Sequence, residues 1–175
     1  MNTFINNQGL ELTAVQVKGK TYAVTFSASG SSRLANLDNI RAGKVKDLYH
    51  PSRYGVGYDG DADKTTPYYS RAKDLWSNML RRCYTSYARC YNGRVIVSPR
   101  WHCFANFLYD LPGLQGFQGW LSGSGFELDK DLLIEGNSVY CREHCQFVPT
   151  AVNRAAGKGG KKLVNGVWVR PHVNN

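Results

Sequence analysis

The sequence predicts an α+β fold, and three observations carry that expectation. Apolar segments of strand character crowd residues 9–48. One long segment with apolar residues at three- and four-residue spacing comes next, over 68–82. Strand-like apolar runs then return after residue 125. The expected organisation is a small β domain over 1–50, a linker loop over 51–67, a mixed unit over 68–156 that carries the chemistry, and a basic tail over 157–175. With 175 residues, 42% of them hydrophobic, the chain can bury a real core, which excludes a disordered polar polypeptide.

In the first unit LELTAVQV, TYAVTFSA and SSRLANL read as three strands, rich in Val, Thr, Tyr and Phe, with turns at Gly19-Lys20 and Ser29-Gly30. Three short strands hold little core alone, so the unit must dock on the rest of the chain or close into a small barrel of the SH3-like kind. HPSRYGVGYDGDADKTTP is then a loop. Its alternating Asp59, Asp61 and Asp63 lack the closing Glu of a calcium loop and read as solvated turn chemistry.

YYSRAKDLWSNMLRR is the clearest helix, with Ser70 as its cap and Ala72, Leu75, Trp76, Met79 and Leu80 on its inner face. RVIVS is a short strand after the Asn92-Gly93 turn. Trp101, Phe104, Phe107 and Leu108 share one face of a second helix that ends at Pro112-Gly113, and that stripe is core rather than a base-stacking platform. Tyr and Arg interleave between residues 81 and 100. Two readings stand there: a surface for phosphates and base faces, or Tyr rings over core edges beside solvated Arg.

The formal net charge of +9 points towards a polyanion, with nucleic acid the commonest. Arg81, Arg82, Arg94, Arg100, Arg154, Lys158, Lys161 and Lys162 are the expected backbone-gripping cations. The segment from Arg154 onward contains no acid, and it either tracks a phosphate backbone or frays. The five cysteines, Cys83, Cys90, Cys103, Cys141 and Cys145, are odd in number, and MNTFINNQGLEL does not read as a secretory signal. Free thiols in a reducing, cytoplasmic setting are expected, with no membrane span. A structural zinc site usually shows two tightly spaced ligand pairs, and this pattern is absent.

The most informative stretch is ELDKDLLIEGNSVYCREHCQFVPTAVN. FELDKDLL reads as a strand, IEGNS as a turn, CQFVP as a second strand, and TAVNRAA as a short helix started by Pro149-Thr150. Such a hairpin plus helix can set Asp129, at the first strand's end, opposite Asn153 on the helix. A carboxylate and a carboxamide oxygen are hard ligands suited to Mg²⁺ or Mn²⁺, with water and substrate phosphate completing the shell.

This stretch resembles the ββα-metal (His-Me finger) active site of HNH endonucleases, particularly the phage homing type. The resemblance runs through RAKDLWSNMLRRCY, then W-x-x-F-x-x-F, then LDKDLL-x-x-GN-x-x-Y-x-x-x-x-C-x-FVP-x-x-x-N. The N-terminal AVTFSASG, LDNIRAGKVKD and YGVGYDG are also similar to such phage proteins. It implies an HNH-like ββα nuclease domain over 68–156, hydrolysis of DNA, taken as duplex, with a single divalent metal, and residence in the host cytoplasm for a phage-encoded chain. Asp129 and Asn153 would be the metal ligands.

The family's general-base His falls on Lys130, and an ordinary lysine is protonated at neutral pH and cannot accept the proton. His144 falls where the family carries an Asn that ties the loop. Three readings are open. Lys130 stabilises the charged phosphate while another group serves as base; His144 or His102 is that base; or the module binds DNA or a host protein without cleaving. An RNA-binding role for the Tyr/Arg segment is a further alternative. Asp131, expected on the strand face of Asp129, is either an accessory ligand or the partner of Lys130. Asn137 is expected to serve the turn.

Overall fold

The computed structural model describes residues 2–87, 93–123, 125–134 and 136–157, and the backbone of 162–164 and 167–169. The fold is α+β. Strands β1 (Asn2–Ile5), β2 (Glu11–Lys18), β3 (Thr21–Phe26) and β4 (Ser32–Asn36) form an antiparallel meander in that order, an open sheet rather than a barrel. Alternation turns Leu12 and Ala14 of β2 and Val24 and Phe26 of β3 inward, where they pair in register and pack with Ile40 and Val45. Ile40 comes from a short helix, α1 (Leu37–Arg41), capped by the Asn36 side chain.

Strand β1 and helix α1 go beyond the three strands expected. NTFI is a strand because buried Asn6 builds the turn behind it. Its Oδ1 accepts from the backbone of Gln8 and Leu10, and its Nδ2 donates to the Val45 carbonyl.

Residues 51–67 are not a free linker. The segment lies on the next helix so closely that a Cβ on Gly57 would meet Leu80 at 2.4 Å. Tyr58 bridges to Cys103, and Asp59 pairs with Lys73. Asp63 accepts from Thr65 within its own turn, which is turn chemistry as expected.

Helix α2 (Tyr69–Tyr84) buries Ala72, Trp76, Met79, Leu80 and Cys83. Its cap is Tyr68, so Ser70 lies inside the first turn. The expected second helix is two, α3 (Pro99–His102) and α4 (Phe104–Asp110), because Cys103 is extended and bridges to Tyr58. Trp101, Phe104, Phe107 and Leu108 are buried, as a core stripe should be. A 3-10 turn over Leu111–Gly113 leads to α5 (Phe117–Leu121), whose Trp120 stacks on Phe147 with ring centres 5.1 Å apart. Each buried aromatic or aliphatic side chain of this size stabilises by about 1.5–3 kcal/mol.

The remaining strands are short. β5 (Ile96–Val97) pairs parallel with β7 (Val139–Tyr140), and β6 (Phe126–Asp129) pairs antiparallel with β8 (Gln146–Pro149). Helix α6 (Thr150–Gly157) leaves β8 without a loop, and β9 (Lys162–Val164) pairs with β10 (Val167–Val169). No helix among the described residues is long and apolar enough to cross a membrane.

Candidate active site

The β6–β8 pair and α6 are closed at both ends. At the open end of the hairpin, Thr150 donates through its backbone N and its hydroxyl to the carbonyl of Gly125, each at 2.8 Å, which fixes the start of α6 to the start of β6. Further along, Asn153 Nδ2 donates to Glu127 Oε2 at 2.8 Å. The helix residue therefore reaches the strand, but its partner is Glu127 and not Asp129. Glu127 and Asp129 are two apart on β6 and share a face, so the site gains a second carboxylate beyond the ligands expected from the sequence. The signal was present in the alternation itself, since counting back two from Asp129 names Glu127.

β6 stops at Asp129, shorter than the strand expected through Leu133, because Asp129 turns the chain. Its Oδ2 accepts from the backbone N–H groups of Asp131, at 3.0 Å, and Leu132, at 2.8 Å. Its Oδ1 makes no hydrogen bond among the described residues. Asp129 is 5% exposed. Burial raises its pKa above the usual carboxylate value, and the Asp131 charge adds to that, while the N–H of Leu132 opposes it.

Asp131 takes one of its two expected roles, as the partner of Lys130. It lies in the turn beyond the strand, half exposed, and its carboxylate accepts from Lys130 Nζ. It is the lysine's ion-pair partner rather than a group on the strand face. Lys130 is 6% exposed, and its Nζ also donates to the Asn137 carbonyl at 3.0 Å. Lys130 Nζ thus donates to both ends of the turn, to Asp131 and to Asn137.

Asn137 organises this turn. Its Nδ2 donates to the carbonyls of Lys130 and Val139, its Oδ1 accepts from Val139 N, and His144 Nδ1 lies 3.3 Å from the same oxygen. One carboxamide thus ties the turn after β6 to the entry of β7 and to His144. With Nδ1 engaged, Nε2 of the half-buried His144 makes no hydrogen bond among the described residues. His102 is elsewhere: its Nε2 lies 2.9 Å from the Tyr84 hydroxyl, and burial lowers its pKa.

The expected cations divide. Arg81 and Arg82, on the last turn of α2, line a cleft with Glu127 and Asn153. Arg94 and Arg154 are exposed. Arg100 Nε and Nη2 both donate to Asp110, at 2.8 and 2.9 Å, and Asp110 is 2% exposed. Burial pushes the Asp110 pKa up, but the bonds from Arg100 and Trp101 outweigh it and hold the carboxyl below its usual value. Arg100 therefore braces the buried Asp110 while its own side chain stays half exposed. Lys158 and Lys161, with Cys90, lie outside the described residues, and only the backbone of Lys162 is described.

No family model matches the chain, and no curated protein and no solved structure matches it. The chemistry of the site is thus read from its own donors. Cys83, Cys103, Cys141 and Cys145 are free and buried, and burial pushes the thiols of Cys83 and Cys145 up to about 11 and about 12. Among the described residues no three His, Cys, Asp or Glu side chains group as a metal site. Two carboxylates on one strand face and a carboxamide from the facing helix suit a hard cation that keeps most of its water. Asp129, Asn153 and Glu127 carry hard oxygen donors of the kind Mg²⁺ or Mn²⁺ takes.

Proposed function

We propose that the chain is an HNH-like DNA endonuclease of the phage type, hydrolysing phosphodiester bonds with a single divalent cation, Mg²⁺ or Mn²⁺. The observation that carries this reading is the Asn153–Glu127 bond, which holds the helix residue against the carboxylate-bearing end of β6. Asp129 would bind the cation through its unengaged Oδ1, and Asn153 through its carbonyl oxygen. When bound, the cation polarises the phosphate and stabilises charge on the leaving oxygen.

His144 is the proposed general base. Asn137 orients it through Nδ1, so the neutral ring presents Nε2 as a proton acceptor. Lys130, locked to Asp131 and Asn137, positions the turn. Arg81, Arg82 and Arg154 supply positive charge to the phosphates, in line with the net charge of +9.

The test is nicking of supercoiled plasmid with Mg²⁺ or Mn²⁺. Conversion to open circles is expected, and it should vanish with chelator and with Asp129→Ala. His144→Ala should slow it. No nicking with either metal, on several DNAs including phage DNA, sinks the enzyme reading.

A second reading has its own observation. The family's base position is held by a buried lysine already donating to Asp131 and Asn137. A catalytically degenerate ββα module that binds DNA or a host protein without cleaving would tolerate that. DNA retarded in a gel with no nicking would select it.

A further inference from the structure

The cleft beside Asn153 has a composition that backbone contact alone does not require. Its volume is about 350 Å³. Arg81, Arg82 and Asn78 of α2 line one side, Glu127 and Asn153 the other, and Tyr87 the rim. Tyr87 is 65% exposed, yet it is fixed. The Thr85 hydroxyl donates to the Arg81 carbonyl at 2.6 Å and accepts from Tyr87 N at 3.2 Å. The Arg81 guanidinium covers one face of the Tyr87 ring, 4.0 Å from its centre. Arg81 Nε is buried and has no hydrogen-bond partner among the described residues.

Size and chemistry together select the ligand. Small-molecule sites span roughly 300–1,000 Å³, so this cleft takes one nucleotide unit and no more. The arginines suit a phosphate, and the carboxamide of Asn78 suits a base edge. The exposed ring of Tyr87 offers a stacking face, because every base has a π-face. A base inside a continuous duplex is already stacked on both sides and cannot reach it.

We propose that this cleft is a nucleotide subsite next to the candidate metal ligands. It takes a single unstacked deoxynucleotide, with its phosphate on Arg81 and Arg82 and its base on Tyr87. The inference rests on the reading of the chain as one that acts on DNA. It sharpens that reading: the DNA at this site is frayed, branched or single-stranded rather than continuous duplex.

The test uses fluorescence anisotropy of the full chain in EDTA with a labelled oligodeoxynucleotide, either single-stranded or annealed to its blunt complement. Tyr87→Ala should weaken single-strand binding about tenfold and change duplex binding less than about twofold. Arg81→Gln should weaken the single strand and make its salt dependence shallower, and a thermal melt of each variant checks the fold. Equal losses for the two DNAs, or no loss in Tyr87→Ala, overturn the subsite. So does a wild-type chain that binds neither DNA. Tighter, Tyr87-dependent binding of an RNA oligomer of the same sequence overturns the DNA assignment.

Plasmid nicking in Mg²⁺ runs in parallel. Nicking with a neutral Tyr87→Ala removes only the subsite. Selective single-strand loss without nicking removes only the nuclease reading.

Discussion

Asp129 is where stability and the proposed chemistry pull apart. Its carboxyl is buried and its pKa raised. A carboxyl whose pKa is higher folded than unfolded holds its proton more tightly in the native state. Its contribution to stability therefore falls as pH rises through the carboxylate range. Asp129→Asn keeps an oxygen to accept from the Asp131 and Leu132 N–H groups and removes the buried charge. The variant should be more stable than the parent at pH 7, by about 1 kcal/mol. Near pH 3 the gain should shrink, because the parent carboxyl is then largely protonated. In a melting experiment Mg²⁺ should raise the midpoint of the parent and leave the variant unmoved. A variant less stable than the parent at neutral pH would contradict this account.

At the same scale the sequence named Asp129 and Asn153 as facing residues, and the structure puts them on adjoining elements. It did not name Glu127, the actual partner of Asn153, because two acids on one strand look like ordinary surface charge until the helix is placed. Asn137 looked like a turn residue. Its wider role arises where His144, Lys130 and Val139 converge, which no local pattern states.

Among the elements, the junction of α5 and β8 is the tightest. Gly116 starts α5 at φ +77°, and a Cβ there would meet the Phe147 carbonyl oxygen at 2.0 Å. That oxygen belongs to the strand paired with β6, and Phe147 N already donates to Gln115 at 2.8 Å. Neither side can yield without breaking a strand or a helix start. Gly116→Ala should cost at least about 2 kcal/mol in urea unfolding, from left-handed strain and backbone overlap together. An unchanged midpoint would mean that the α5–β8 approach is looser than described.

Element identity was legible where periodicity is strong, as in α2 and β2 to β4. It failed where tertiary contacts decide. Cys103 splits an otherwise continuous helical pattern because Tyr58 pairs with its neighbours. β6 ends early because the Asp129 side chain captures the next N–H groups. α5 carries a glycine among five residues and forms because Phe117 and Trp120 are buried.

Across the whole molecule, the charge of +9 is unevenly available. Arg100 is already paired with buried Asp110, whereas Arg154 is exposed. In a plot of log affinity against log salt, Arg154→Gln should reduce the slope by about one, while Arg100→Gln should leave it nearly unchanged. A slope change for Arg100 equal to that for Arg154 would show that its pair with Asp110 opens on binding. The mixed fold class was readable from pattern, and the basic charge from residue counts. The parallel pairing of β5 with β7 was not, since two residues on each side leave no periodic trace.

That pairing also sets an order of assembly. The N-terminal meander closes through neighbouring hairpins, so its contacts are local and quick to form. Ile96 must wait for Val139, and Phe126 for Pro149, with all of α3 to α5 lying inside the first of these loops. Loop closure of this span is entropically late. The carboxamide of Asn153 therefore reaches the β6 carboxylates only after the β6–β8 loop has closed. Until then the chain is a basic polypeptide with its proposed cutting edge unassembled.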